Sequence, residues 1–295
     1  MKIGLMFASS AYTTAEECAA VAEVAEEVGL ESLWAVEHVF VPQVIRTPYP
    51  YTADGELAGV ADAVLCDPVV WLSFMAGITH TLRLATGIMI LPQRNPAYVA
   101  KEWATLDRLS GGRAILGVGI GWLTEEMEAL GIPFSERGPR TDEAIEAVRS
   151  LWAPGASTVQ GRFHRWEDMV CNPKPAQAGG VPIVVGGHAP AAARRAARLG
   201  DGFFWPANLS GRITVPGEDP AADPFAKALA ALRDECSKLG RDPAEIELTT
   251  GGYQLDAAAL DELEAAGIAR VVVPSPPIAK LRARLEPLGE LLRSR

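Results

Sequence analysis

The chain has 295 residues, 48% of them hydrophobic and 22% charged, with a formal net charge of −10. It is long enough to bury a large core, and its acidic balance excludes a nucleic-acid or anionic-membrane surface, because neutralising phosphates takes clustered Lys and Arg. No run of about 18 apolar residues is present to span a bilayer, and the four cysteines, Cys18, Cys66, Cys171 and Cys236, are far apart without metal-ligand spacing. A reduced, cytoplasmic protein with no metal centre is expected.

The opening run, Lys2 to Phe7, reads as a strand rather than a secretory leader, since Thr13, Thr14, Glu16 and Glu17 follow so soon. Thr14 to Val28 is a helix with a capping box of Thr14 and Glu17, closed by Gly29. Ser32 to Val36 is the second strand. The irregular segment Glu37 to Cys66, with Tyr49, Tyr51 and Pro42, Pro48 and Pro50, is expected to shape a substrate pocket. A helix opens at Asp67-Pro68, and Arg83 to Leu91 is a third strand interrupted by Gly87. Asn95 then caps a helix whose first turn holds Pro96. Arg113 to Val118 is a fourth strand leading into Gly119 and Gly121, and a helix is expected from Thr141. Ser157 to Val181 carries a hairpin around Gln160-Gly161, followed by Pro173, Pro175 and Pro182; as it leads into strand five, it is expected on the amino-end, structural face. The remaining strands are Pro182 to Val185, Gly202 to Trp205, Glu245 to Thr250 and Arg270 to Val273, with helices from Ala189, Pro224, Asp256 and about Pro277. Most of these strands are continuous apolar runs, the pattern of parallel strands buried on both faces.

Eight strand-helix units with one favoured crossover hand predict a single α/β domain over residues 1–295: a TIM (β/α)8 barrel with an extended loop after strand 2 and a hairpin insertion before strand 5. An open, doubly wound sheet is the alternative.

Residues able to carry chemistry gather at the strand carboxyl ends, where such barrels place their sites. His38 follows strand two beside Glu37, whose carboxylate could tune it or face away; the histidine is either a proton-transfer group or a loop histidine bonded to backbone. Gly186, Gly187, His188 and Ala189 precede a helix whose exposed N–H groups suit a phosphate, although a tight turn uses glycine as readily. The run Gly117 to Gly121 has neither dinucleotide-binding nor P-loop spacing. Gly87 inside a strand suits a flat ligand packed on the main chain, or simple packing. Trp34, Trp122 and Trp205 lie near strand ends and suit a planar ligand or the core.

The chain resembles the luciferase-like monooxygenase family over almost its whole length, and within it the branch dependent on the deazaflavin coenzyme F420. The resemblance rests on Leu33 to Val39, Leu84 to Arg113, Leu116 to Trp122, Arg137 to Trp152 and Pro182 to Phe203. It implies an oxidoreductase that binds F420, acts on a small molecule and is often a homodimer; the alternatives are a monooxygenase using FMN and O2, or a non-catalytic barrel that only binds the flavin or deazaflavin. It places a non-proline cis peptide at Gly87-Ile88 behind the ring, next to Thr86, and His38 beside the reactive carbon with Glu37 as its acidic neighbour. It puts the phosphate-binding segments at Gly119 to Trp122, including Gly121, and at Gly186, Gly187, His188 and Ala189, with Trp205 nearby. One departure is informative: sugar-phosphate dehydrogenases of the family carry an acid where this chain has Trp122. An apolar or aromatic substrate is therefore expected. Glu125 and Glu126, a helical turn further on, have no assigned role, and Arg212, in the substrate loop from Pro206 to Asp223, is either anion-binding or solvent-facing.

Overall fold

The computed structural model describes residues 1–50, 52, 54–57, 59–206, 223–252 and 255–295; Tyr51, Arg212 and nearly all of the segment between Pro206 and Asp223 lie outside the described residues. The strands are β1 (Lys2–Met6), β2 (Ser32–Ala35), β3 (Arg83–Thr86, resumed at Met89–Ile90), β4 (Ala114–Gly119), β5 (Ile183–Gly186), β6 (Gly202–Trp205), β7 (Glu247–Gly251) and β8 (Arg270–Pro274). They pair in parallel in the order β3-β2-β1-β8-β7-β6-β5-β4, and Leu84 and Ala85 then pair with Ala114 and Ile115 to close the ring. The sheet is thus a closed barrel, not an open one.

Alternate residues along each strand fill two different cores. Met6, Trp34, Ala85, Ile115, Val184, Phe204 and Val272 point inward and pack together inside the barrel. Their neighbours Leu5, Leu33, Leu84, Leu116, Val185, Phe203 and Val271 point outward into a larger core beneath the helices. The principal helices are α1 (Ala15–Glu27), α2 (Pro68–Ile78), α3 (Pro96–Leu109), α4 (Arg137–Trp152), α5 (Pro190–Leu199), α6 (Pro224–Leu239), α7 (Ala257–Ala265) and α8 (Leu281–Arg293). Thr14 and Glu17 make both halves of their capping box, while Asp67, Asn95, Asp223 and Asp256 cap α2, α3, α6 and α7.

Strand three is interrupted at Gly87 as expected: it stops at Thr86 and resumes at Met89 around a cis Gly87-Ile88 peptide. Three sequence expectations need correction. Helix α4 starts at Arg137, not Thr141, because the Thr141 hydroxyl bonds back to the Arg137 carbonyl at 2.8 Å instead of capping. Pro139 is harmless in the first turn, where no N–H has an intrahelical partner. Strand seven starts at Glu247, because Asp242 caps a short 3-10 turn over Pro243–Glu245. The hairpin (Ser157–Gln160 with Arg165–Met169) leaves the amino-end face at its tip, where Glu143 accepts the N–H groups of Arg162, Phe163 and His164 and Arg162 reaches Glu136 at the rim-side start of α4. The rest of the segment stays at the amino end as expected, Lys174 bonding Leu151 O and Gln177 bonding Asp107 and Arg83.

The amino end of the barrel is closed by charge. Arg270 is fully buried and pairs with Glu31 and Glu247, Lys2 also reaches Glu247, and the Arg270 guanidinium lies 5.6 Å from the Trp34 ring centroid. The opposite, carboxyl rim is where such barrels place their sites. Among the described residues no helix is long and apolar enough to cross a membrane, and no group of side chains could hold a metal ion.

Candidate active site

Beyond Ala35 the chain leaves β2, and Glu37 faces away from His38. Glu37 turns inward with its side chain 2% exposed: Oε2 accepts the Ile90 N–H at 2.6 Å, and Oε1 accepts Arg94 Nε at 2.7 Å and Arg94 Nη2. Burial pushes the Glu37 carboxyl up, against the pull of Arg94 and the Ile90 N–H. Glu37 therefore braces the resumed half of β3 and makes no hydrogen bond to His38.

The carboxylate that meets His38 is Glu126, in the short helix Thr124–Ala129 after β4. Its Oε2 lies 2.9 Å from His38 Nδ1, and its Oε1 accepts the Val39 N–H at 2.7 Å. Burial alone would raise the Glu126 carboxyl; the hydrogen bond and charge of His38, with Gln93 and the Val39 N–H, hold it below its ordinary value. A carboxylate only accepts, so His38 donates from Nδ1 and its Nε2 carries the lone pair when the ring is neutral. Among the described residues Nε2 has no hydrogen-bond partner. Trp122 stands edge-on to the imidazole at 5.8 Å, and Tyr49 packs against Trp122 at 4.9 Å.

Glycines along the rim converge on one side chain. A Cβ on Gly119 or Gly186 would come within 2.6 Å of Ile88, and one on Gly87 within 3.0 Å of Trp34. Ile88 rests on the apolar cluster inside the barrel, so glycine at 119 and 186 makes room for Ile88 first. Thr86 is buried, with its hydroxyl donating to Gly117 O at 2.7 Å across the gap between β3 and β4. Gly121 has a φ of +75°, where a Cβ would meet Met127 and Ile90. Gly119→Ala is expected to cost about 1–3 kcal/mol by overpacking. That cost is expected to shrink in an Ile88→Ala background when both are measured by chemical denaturation; a cost unaffected by residue 88 would assign the glycine to another contact.

A second patch lies at the start of α5. Ala189 is the N-cap, with no side-chain cap and no acid in the first turn. The Gly187 N–H is used by Phe204 O at 3.1 Å, and the Ala192 N–H turns back to Ala189 O. The N–H groups of Ala189 and Ala191 have no partner among the described residues. His188 Nε2 lies 2.8 Å from Pro206 O, and burial lowers its pKa to about 4, so Nε2–H donates from a neutral ring. Trp205 faces away from the barrel interior, stacking on Phe225 at 4.9 Å and meeting the edge of His188 at 4.6 Å. Its link to the rim thus runs through His188. Arg137, to which the sequence assigned no role, is a half-buried cation at the start of α4 with no carboxylate partner among the described residues.

A closed α/β barrel with a carboxylate-held histidine, rim glycines and an uncapped helix start at its carboxyl face defines a barrel enzyme. The chain belongs to the luciferase-like monooxygenase family, whose sequence profile matches residues 2–266. It is 32% identical over 229 residues to the F420-dependent glucose-6-phosphate dehydrogenase of Kineococcus radiotolerans, a match covering 76% of this chain and 59% of that one. Its fold is that of the monooxygenase RslO1 from Streptomyces bottropensis (TM-score 0.76, 24% identity, 100% and 99% coverage). It is likewise that of an F420-dependent secondary alcohol dehydrogenase solved with an F420-acetone adduct (TM-score 0.75, 18% identity, 99% and 98% coverage).

Proposed function

We propose that the protein is an oxidoreductase that moves a hydride between coenzyme F420 and a small apolar or aromatic molecule. The observation that carries this reading is His38, fixed at Nδ1 by Glu126, on the same rim as the uncapped start of α5.

The residues present fit such a cofactor. The uncapped start of α5 suits a phosphate, with the N–H groups of Ala189 and Ala191 unspent and Gly187 at a φ of +150° just before it. Arg137 is a cation without an acid, available to an anionic tail. Gly87-Ile88, backed by Trp34 and Phe204, offers main chain to a flat ring. When bound, F420 supplies a carbon centre that accepts or donates hydride and disfavours one-electron and oxygen chemistry.

The chain's own residues then supply position and proton transfer. His38 Nε2 takes the proton as an alcohol is oxidised, or returns it as a carbonyl is reduced, and Glu126 keeps the ring in that tautomer and stabilises its cationic form. Trp122 and Tyr49 line the approach to His38 with aromatic surface where an acid would favour a sugar phosphate. FMN with oxygen is the rival chemistry, since RslO1 shares the fold. Turnover of a panel of secondary and aromatic alcohols with F420, followed by cofactor absorbance, is the expected result. Oxygen consumption with reduced FMN and none of the F420 reaction would reverse the assignment.

A further inference from the structure

Adjacent glutamates in the helix Thr124–Ala129 hold two different points of the loop after β2. Glu126 holds the loop's start at His38 and Val39. Glu125 holds it eight to nine residues further on: Oε1 accepts the Arg46 N–H at 2.7 Å and the Thr47 N–H at 3.1 Å, and Oε2 accepts the Thr47 hydroxyl at 2.6 Å. The same hydroxyl accepts the Thr124 N–H at 3.3 Å, closing a small ring of bonds between loop and helix. The Glu125 side chain is only 12% exposed although Arg46 beside it is open to water. Burial works against its charge, but these bonds bring the carboxyl down to about 2, so it stays ionised over any ordinary assay range.

The anchored pair sets the course of the next few residues. Pro48 restricts the backbone after Thr47, Gly55 at a φ of +74° packs against Pro48, and the Tyr49 N–H bonds to Gly55 O at 2.7 Å. Tyr49 thereby lies 4.9 Å from Trp122, which stands 5.8 Å from His38.

We propose that Glu125 is a specificity-determining positioning residue, a latch that holds Arg46 and Thr47 so that Tyr49 closes against Trp122 and the approach to His38 admits flat, uncharged molecules. The proposal rests on the reading of His38 as the reacting site, but its test does not need turnover. In Glu125→Ala, and separately in Thr47→Val, amide hydrogen exchange at residues 46–49 is expected to speed up at least about tenfold, as the anchoring bonds are lost. Acrylamide quenching of the fluorescence lost in Trp122→Phe is expected to rise as Tyr49 moves off the indole. Glu125→Gln keeps an acceptor for both N–H groups and is expected to stay near the parent in both readouts. F420 titration is expected to be unaltered in all three variants. Exchange and quenching that stay at parent values in Glu125→Ala would overturn the latch. A parent protein that does not bind F420, with the exchange and quenching effects intact, would overturn the proposed function and leave the latch standing.

Discussion

His38→Ala is expected to lower turnover by about 10²–10⁴-fold, the usual contribution of a positioned acid or base, equal to about 3–5 kcal/mol of barrier. The substitution removes Nε2, the one atom of the His38–Glu126 pair without a partner among the described residues, and leaves the rim main chain in place. F420 affinity should therefore change by less than about threefold. Glu126→Gln should cost less, about 10–100-fold in turnover, because it weakens the anchor of the histidine and leaves the ring itself. The sign of the Glu126 shift sets the pH dependence. Its carboxyl is held below the ordinary value, so its hold on His38 is complete above that value and fades only as the pH drops through the lowered one. Steady-state rates of the three proteins test this ordering; His38→Ala with parent turnover would remove the histidine from the reaction.

Glu37→Ala is expected to act on stability, by about 3 kcal/mol, near the low end for breaking a buried ion pair. The loss leaves the Ile90 N–H without its acceptor and Arg94 without its inner partner, although Asp67 still holds Arg94 at 2.8 Å. Glu37→Gln, which keeps an acceptor for Ile90, should lose less. The check is equilibrium denaturation alongside turnover per folded molecule. If Glu37 moved a proton itself, Glu37→Gln would abolish turnover at parent stability, and its role as a brace for β3 would be wrong.

These two glutamates mark the limit of what the chain discloses before folding. The barrel was legible because most strands are apolar runs and most of the helices after them open on a cap or a Pro, all of it local information. The interruption at Gly87 was legible for the same reason, since glycine inside such a run has few other uses. Adjacency in sequence misled at Glu37: successive residues leaving a strand point in opposite directions, so Glu37 and His38 part company at once. The true partner, Glu126, lies 88 positions away and meets His38 only after the barrel has closed. Its signal, an acidic pair just past the fourth strand, carries no indication of its target. Of the two readings open to Trp205, strand parity selects the core, since Phe204 is the β6 aromatic that points inward. The glycines at 119 and 186 were placed correctly at the rim, but the side chain they accommodate, Ile88, belongs to another strand.

The most direct measurement of the central claim is an equilibrium titration of F420 against the parent protein and His38→Ala, with FMN titrated in parallel. Saturable F420 binding of nearly equal strength to both proteins, stronger than that of FMN, is the expected result. Saturable binding of FMN with none of F420, or F420 binding that vanishes with the imidazole, would contradict it.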